Sequence, residues 1–175
     1  MMLMQNRVSN FFLVLSALLA LFAPFAFSAN TDEADSDALK AESPVVLPAP
    51  AQKNNLLPFY VSPTTTLDFA IDAKSVSVTE EGIVRFVLVV TSQSGASNIS
   101  YEGIRCSTGE KKLYAVGQTN GSWSVARKDA WDTIIDRGIN RQHAALAKDY
   151  FCETGMVAGK AEIIVDRLRK QKALR

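Results

Sequence analysis

A chain of 175 residues is long enough for one domain with a tail. Its 19 basic and 18 acidic residues leave a formal net charge of +1, which gives no electrostatic ground for a nucleic-acid partner. The apolar content of 47% is ordinary, but part of it is concentrated at the N-terminus.

Residues 1–28 have the three parts of a secretory signal. Arg7 supplies the positive region, Phe11 to Phe22 an uncharged apolar run, and Ala26-Phe27-Ser28 small residues for a cut after Ser28 or, less favourably, Ala29. The run is shorter than the roughly 20 residues of a membrane span. The expected location is therefore periplasmic, with membrane contact only through the signal before cleavage. Losing Arg7 would leave the mature chain formally neutral.

Residues 29–55 read as a disordered leader. Five acids (Asp32, Glu33, Asp35, Asp37, Glu42) face two lysines, Pro44, Pro48 and Pro50 punctuate it, and large apolar residues are scarce. The folded α+β domain is expected over 56–155. It begins with an edge segment, Leu56 to Tyr60, marked by Pro58 and Pro63. Leu67 to Asp72 alternates with period two, and Ser75 to Val78 repeats the pattern.

Ile83 to Val90 is the centre of the prediction. Val84, Phe86, Leu88 and Val90 share one face, while Ile83, Val87 and Val89 share the other with Arg85 as its one charge. A strand apolar on both faces lies in the middle of a sheet and needs cover on both sides; a helix is the expected cover for the second. The partner strand, Asn98 to Cys106, changes parity between Tyr101 and Ile104, which predicts a β-bulge at Gly103. Lys112 to Gly117 and Ser122 to Ala126 form a hairpin about Asn120-Gly121, a type I′ signal.

After Trp131 the period becomes helical. Ile139, His143, Leu146 and Tyr150 form one stripe ending near Cys152. Residues 156–175 are expected to form a basic C-terminal helix. The fold class is thus α+β: an antiparallel sheet of about five to six strands packed with one or two C-terminal helices.

Two cysteines in an exported chain read as a disulfide, Cys106–Cys152. It would close a loop of roughly 46 residues, worth about 4 kcal/mol in the chain-entropy account.

No catalytic motif stands out. His143 is the only histidine, so a multi-histidine metal site is excluded. No calcium-loop pattern, Ser-x-x-Lys, Gly-x-Ser-x-Gly or Gly-rich phosphate loop is present, and no cofactor is implied. Glu102 and Glu110 offer a carboxylate pair only in the sense that any acid-bearing chain does. Tyr101, Glu102 and Arg105 form the densest polar group beside the core and are the candidate binding residues. Their structural alternative is a Glu–Arg pair that fixes the bulge.

Several blocks together resemble a known family: Gly82-Ile83-Val84-Arg85-Phe86, Ser94-Gly95-Ala96, Ser100-Tyr101-Glu102-Gly103-Ile104-Arg105-Cys106, Leu113-Tyr114-Ala115, Gly121-Ser122-Trp123 and Tyr150-Phe151-Cys152. In this order they are similar to the cryptic neisserial protein-like family of proteobacterial envelope proteins, over roughly residues 58–152. The resemblance implies a periplasmic location and, for some members, a lipid anchor. This chain has no cysteine for lipidation near the signal, so the anchor does not carry over, and the family offers no catalytic residues to transfer.

The expected function is a non-catalytic binding or interaction module of the cell envelope. Its partner would be an envelope protein or ligand, or a second copy of the chain. The alternative is an envelope hydrolase acting on glycan or peptide. That reading requires Glu102 with another carboxylate, or His143 with a serine, facing one cleft.

Overall fold

The doubly apolar run from Ile83 dictates the architecture. In the computed structural model, which describes residues 41–138 and 141–174, it becomes β4 (Ile83–Ser92) at the heart of an antiparallel sheet. All described residues fall in one compact unit, Leu39–Arg175. The expected signal segment, the first part of the leader, Ile139 and Arg175 lie outside the described residues.

The main path across the sheet runs β1 (Leu56–Pro58), β2 (Leu67–Asp72), β4, β5 (Ser97–Arg105), β6 (Glu110–Gly117) and β7 (Trp123–Val125). Two short strands complete it: β3 (Ser77–Val78) on β4 and β8 (Asp132–Thr133) on β6. Pro58 sits in the edge strand, where a missing N–H costs no ladder bond. Between β2 and β3 the chain leaves β4, and Ser75 stitches the gap. Its hydroxyl donates to the Asp72 carbonyl and accepts from the Val87 N–H, each at 2.7 Å.

Register fixes two faces. Val84 pairs with Ile104, Phe86 with Glu102 and Leu88 with Ser100, so these six share one face. There Val84, Phe86, Leu88 and Ile104 pack with Phe69 and Ile71 against Leu146, Tyr150, Phe151, Ile164 and Leu168. Those last five come from α1 (Gln142–Leu146), the π-helical turn Ala147–Phe151 that continues it, and α2 (Ala161–Arg169). Each fully buried side chain of this kind contributes about 1.5–3 kcal/mol. The Cys106–Cys152 disulfide, with Cα atoms 5.4 Å apart, ties the end of β5 to the end of the helical segment as expected.

The opposite face carries Val87, Val89, Tyr101, Tyr114 and Ala115, with Ile99 and Trp123 beside them. Its cover is not the expected helix. Residues 41–52, expected to belong to the disordered leader, lie over it, with Ala51 packed into the cluster. The segment has few large side chains of its own. The sheet beneath supplies the apolar and aromatic surface, and buried donors supply its hydrogen bonds.

Three further expectations need correction. The bulge lies in β6, not at Gly103: Tyr101 pairs with Ala115 and Glu102 with Leu113, leaving Tyr114 as the extra residue. The parity change along β5 needs no repair because both of its faces are buried from Tyr101 to Arg105. Gly103 instead makes room for Tyr114, since a Cβ there would lie 2.6 Å from Tyr114 Oη and 2.9 Å from its Cε2. The β6–β7 hairpin forms, but its turn is not type I′: Gly121 has φ +83° while Asn120 stays outside the left-handed region. Finally, residues from 156 do not begin a separate helix. β9 (Cys152–Glu153) and β10 (Met156–Val157) form a hairpin first, and α2 then buries Ile164 and Leu168 in the same core as α1.

Candidate binding site: the leader-covered face

The three sequence candidates do not form one site. Tyr101 lies on the leader face, its ring 5.4 Å from Tyr114 and 6.3 Å from Trp123. Arg105 stacks over Trp131 at 4.0 Å and reaches Glu110 at 3.4 Å. Glu102 points to the helical face, where its Oε2 lies 2.5 Å from His143 Nε2 and its Oε1 accepts from Ser100 Oγ at 2.6 Å. Burial opposes ionisation of Glu102, but the bond and charge of His143, then Ser100, outweigh it and lower its pKa.

This arrangement puts His143 and a serine near one another, as a hydrolase would need, but in the wrong order. The carboxylate stands between hydroxyl and imidazole, and the hydroxyl donates to the carboxylate. A serine nucleophile needs the imidazole beside its hydroxyl. The Glu102–His143 contact pins α1 to the sheet.

The leader face holds what the sequence did not bring together. Arg85, the third residue of β4, is 5% exposed. It donates from Nη1 to the Pro44 carbonyl at 3.1 Å and from Nη2 to the Ser43 carbonyl at 2.6 Å and Glu42 Oε1 at 3.1 Å. Lys112 meets the other Glu42 oxygen at 3.0 Å and also pairs with Asp129. The Tyr114 hydroxyl donates to Glu42 Oε1, and its ring lies beneath the Arg85 guanidinium at 5.3 Å. The bulge is what turns Tyr114 onto this face, and Gly103 is what lets it lie flat there.

Two more ties hold the leader. Ser43 donates to Glu81, and hydrogen bonds from Ser43 and Thr79 hold that carboxyl down at about 2. Trp123 Nε1 donates to the Pro48 carbonyl at 2.8 Å. Burial works against a charged Glu42, yet the hydrogen bonds of Tyr114 and Lys112, the charge of Lys112 and the hydrogen bond of Arg85 lower its pKa. Burial beside that carboxylate raises the pKa of Tyr114, so its hydroxyl stays a donor.

Where the leader passes β6 and β7 a cleft of about 590 Å³ opens. Val45, Leu47, Leu113 and Val125 give it apolar walls, and Lys112, Lys128 and Asp129 give it charge. Val125 is 70% exposed at its rim. The shape and the mix of apolar wall with a few polar groups suit a ligand or a partner side chain. Among the described residues no group of three or more His, Cys, Asp and Glu side chains is placed to hold a metal ion.

The one signal that pointed here was Arg85 itself, the lone charge in an otherwise apolar strand. Its partner Glu42 lies 43 positions away, in a segment whose composition argued for disorder.

Comparison with curated proteins and with solved structures finds no match. The sequence profile of the CNP1-like family matches residues 35–169, a span that takes in the part of the leader carrying Glu42 as well as the sheet and both helices. The chain belongs to the CNP1-like family.

Proposed function

We propose that this protein is an exported, non-catalytic binding module of the cell envelope, and that its recognition surface is the cleft at the β6–β7 edge. The observation that carries this reading is the cleft itself. Exposed Leu113 and Val125 stand beside Lys112, Lys128 and Asp129, and the buried Glu42–Arg85–Lys112–Tyr114 network holds the neighbouring wall in place. Fixed walls reduce the ordering cost of binding. The signal-like N-terminus and the disulfide support an oxidising, extracytoplasmic location. The hydrolase alternative needs Glu102 beside a second carboxylate or His143 beside a serine; Glu102 is instead engaged by Ser100 and His143, and its carboxylate stands between that hydroxyl and the imidazole.

The test is photo-crosslinking in intact cells from a reactive residue at position 125, with position 60 as an exposed control on another part of the surface. Discrete adducts at 125 that weaken on Lys128→Glu are expected. The same pattern from both positions would remove the cleft from consideration.

A further inference from the structure

The leader is bound as a ligand would be. Its ties to the sheet are three backbone carbonyls (Ser43, Pro44 and Pro48), the Ser43 N–H and hydroxyl, and one carboxylate, Glu42. Its apolar side chains contribute little to holding it, since Val46 is 77% exposed and Val45 and Leu47 only partly covered. Residues 41–52 join no strand. The surface beneath them is aromatic (Tyr101, Tyr114 and Trp123), with an indole N–H aimed at a proline carbonyl. Proline-bearing peptides dock in this way on aromatic grooves, where backbone carbonyls accept from ring donors.

We propose that this face is a recognition groove for acidic, proline-bearing peptides of a partner protein, with the leader as its resident and exchangeable occupant. This deepens the binding-module reading and rests on it: the β6–β7 cleft is walled by Glu42, Pro44, Val45 and Leu47 while the leader is seated, and an incoming peptide would take the leader's place as that wall. The partner segment would carry a carboxylate for Arg85 and Lys112, a proline two residues on, and a second proline four residues further, the spacing of Glu42, Pro44 and Pro48. Charge complementarity is specific: the groove presents two cations and a phenol at one end and an indole donor at the other. Release would not dismantle the sheet, because the chain is anchored again at β1 and by the Ala73 N–H to the Asn55 carbonyl at 2.9 Å. A tethered occupant competes at an effective concentration in the millimolar range, so an incoming peptide gains access mainly when the leader is cut or locally outnumbered.

The experiment uses the full exported chain with a protease site inserted between Gln52 and Lys53, cut after folding. A fluorescein-labelled peptide of residues 41–50 is then added, and anisotropy and tryptophan fluorescence are followed. The cut protein should bind the peptide saturably and the uncut protein at least about tenfold more weakly. A peptide carrying Glu42→Gln should lose about thirtyfold in affinity, because its carboxylate makes charge-assisted hydrogen bonds to both Arg85 and Lys112. Substituting the peptide leaves the protein's fold untouched. Failure of the leader to exchange after cutting, or equal binding of the Glu42→Gln peptide, would overturn the proposal. Dimers formed through leader exchange in place of peptide binding would give the groove to a second copy and overturn the partner assignment. None of these outcomes bears on the cross-linking at position 125, so failure here and failure of the binding-module reading stay distinguishable.

Discussion

Glu42→Gln tests how the leader is held. The carboxylate meets Arg85 at 3.1 Å and Lys112 at 3.0 Å and accepts from the Tyr114 hydroxyl. Removing one partner of a buried ion pair costs about 3–5 kcal/mol when the other charge is stranded. Here neither cation is stranded. Arg85 keeps the carbonyls of Ser43 and Pro44, and Lys112 keeps Asp129. Glutamine also keeps the shape and one acceptor. The expected loss is therefore below that range, about 2 kcal/mol, or roughly 5–10 °C in Tm for a domain of this size. Urea unfolding followed by tryptophan fluorescence measures it. The pH dependence gives the sharper signature. Glu42 has its pKa lowered from 4.5 in the folded state, so its contribution is full above that value and is lost as pH falls through the folded value. The stability gap between wild type and variant should be widest above roughly pH 5 and should close on acidification. A gap below about 0.5 kcal/mol at pH 7, or one that does not narrow in acid, would refute the account of a leader clamped by charge.

Gly103→Ala should cost about 1–3 kcal/mol through the clash with Tyr114, and in a Tyr114→Ala background it should cost little; a double-mutant cycle by urea unfolding checks this. Thr154→Asn should stabilise by about 0.5–1 kcal/mol, because Thr154 (φ +49°) and Gly155 (φ +79°) form the two-residue turn between β9 and β10, where a β-branched residue is strained and asparagine is not; the rise appears in thermal unfolding. Replacing both Cys106 and Cys152 by alanine should cost about 4 kcal/mol, and the wild type under reducing conditions should fall to the same stability by urea unfolding.

Most of the sheet was legible because its side chains alternate. β2, β4, β5 and β6 lie where period two placed them, and the two cysteines pair across 46 positions. The errors came where one local signal had two physical readings. The parity change between Tyr101 and Ile104 suggested a bulge on the assumption that one face of β5 was wet, but both faces are buried. Asn120-Gly121 and Thr154-Gly155 both precede a returning strand, and only the second adopts two consecutive left-handed residues, although asparagine has the stronger intrinsic preference. In the first hairpin a longer loop needs positive φ only at Gly121, and Asn120 uses its side chain to accept from the Ser122 N–H at 3.0 Å. His143 and Glu102 were each noticed, but 41 positions of sequence separate them and no periodicity links a strand to a later helix.

The leader raises a different issue. A segment poor in apolar residues was expected to stay disordered because it cannot offset its own chain entropy by burial. That reasoning holds for a segment in isolation. It omits the surface on which the segment lands. β4 is apolar on both parities, and one of its two covers had to come from somewhere other than α1 and α2. The single charge in that strand narrows the choice further. A buried guanidinium is tolerated only where oxygen atoms converge on it, so the cover over Arg85 must present a carboxylate and backbone carbonyls rather than a packed apolar helix. A helix keeps its carbonyls for its own ladder, whereas an irregular, proline-punctuated strip has them free to accept. Of the segments outside the predicted strands and helices, the one ahead of β1 joins Glu42 to Pro44 and Pro48 within seven residues. The lone arginine of a doubly buried strand thus specified the chemistry of its cover, and the same chemistry makes that cover replaceable by another peptide bearing the same groups.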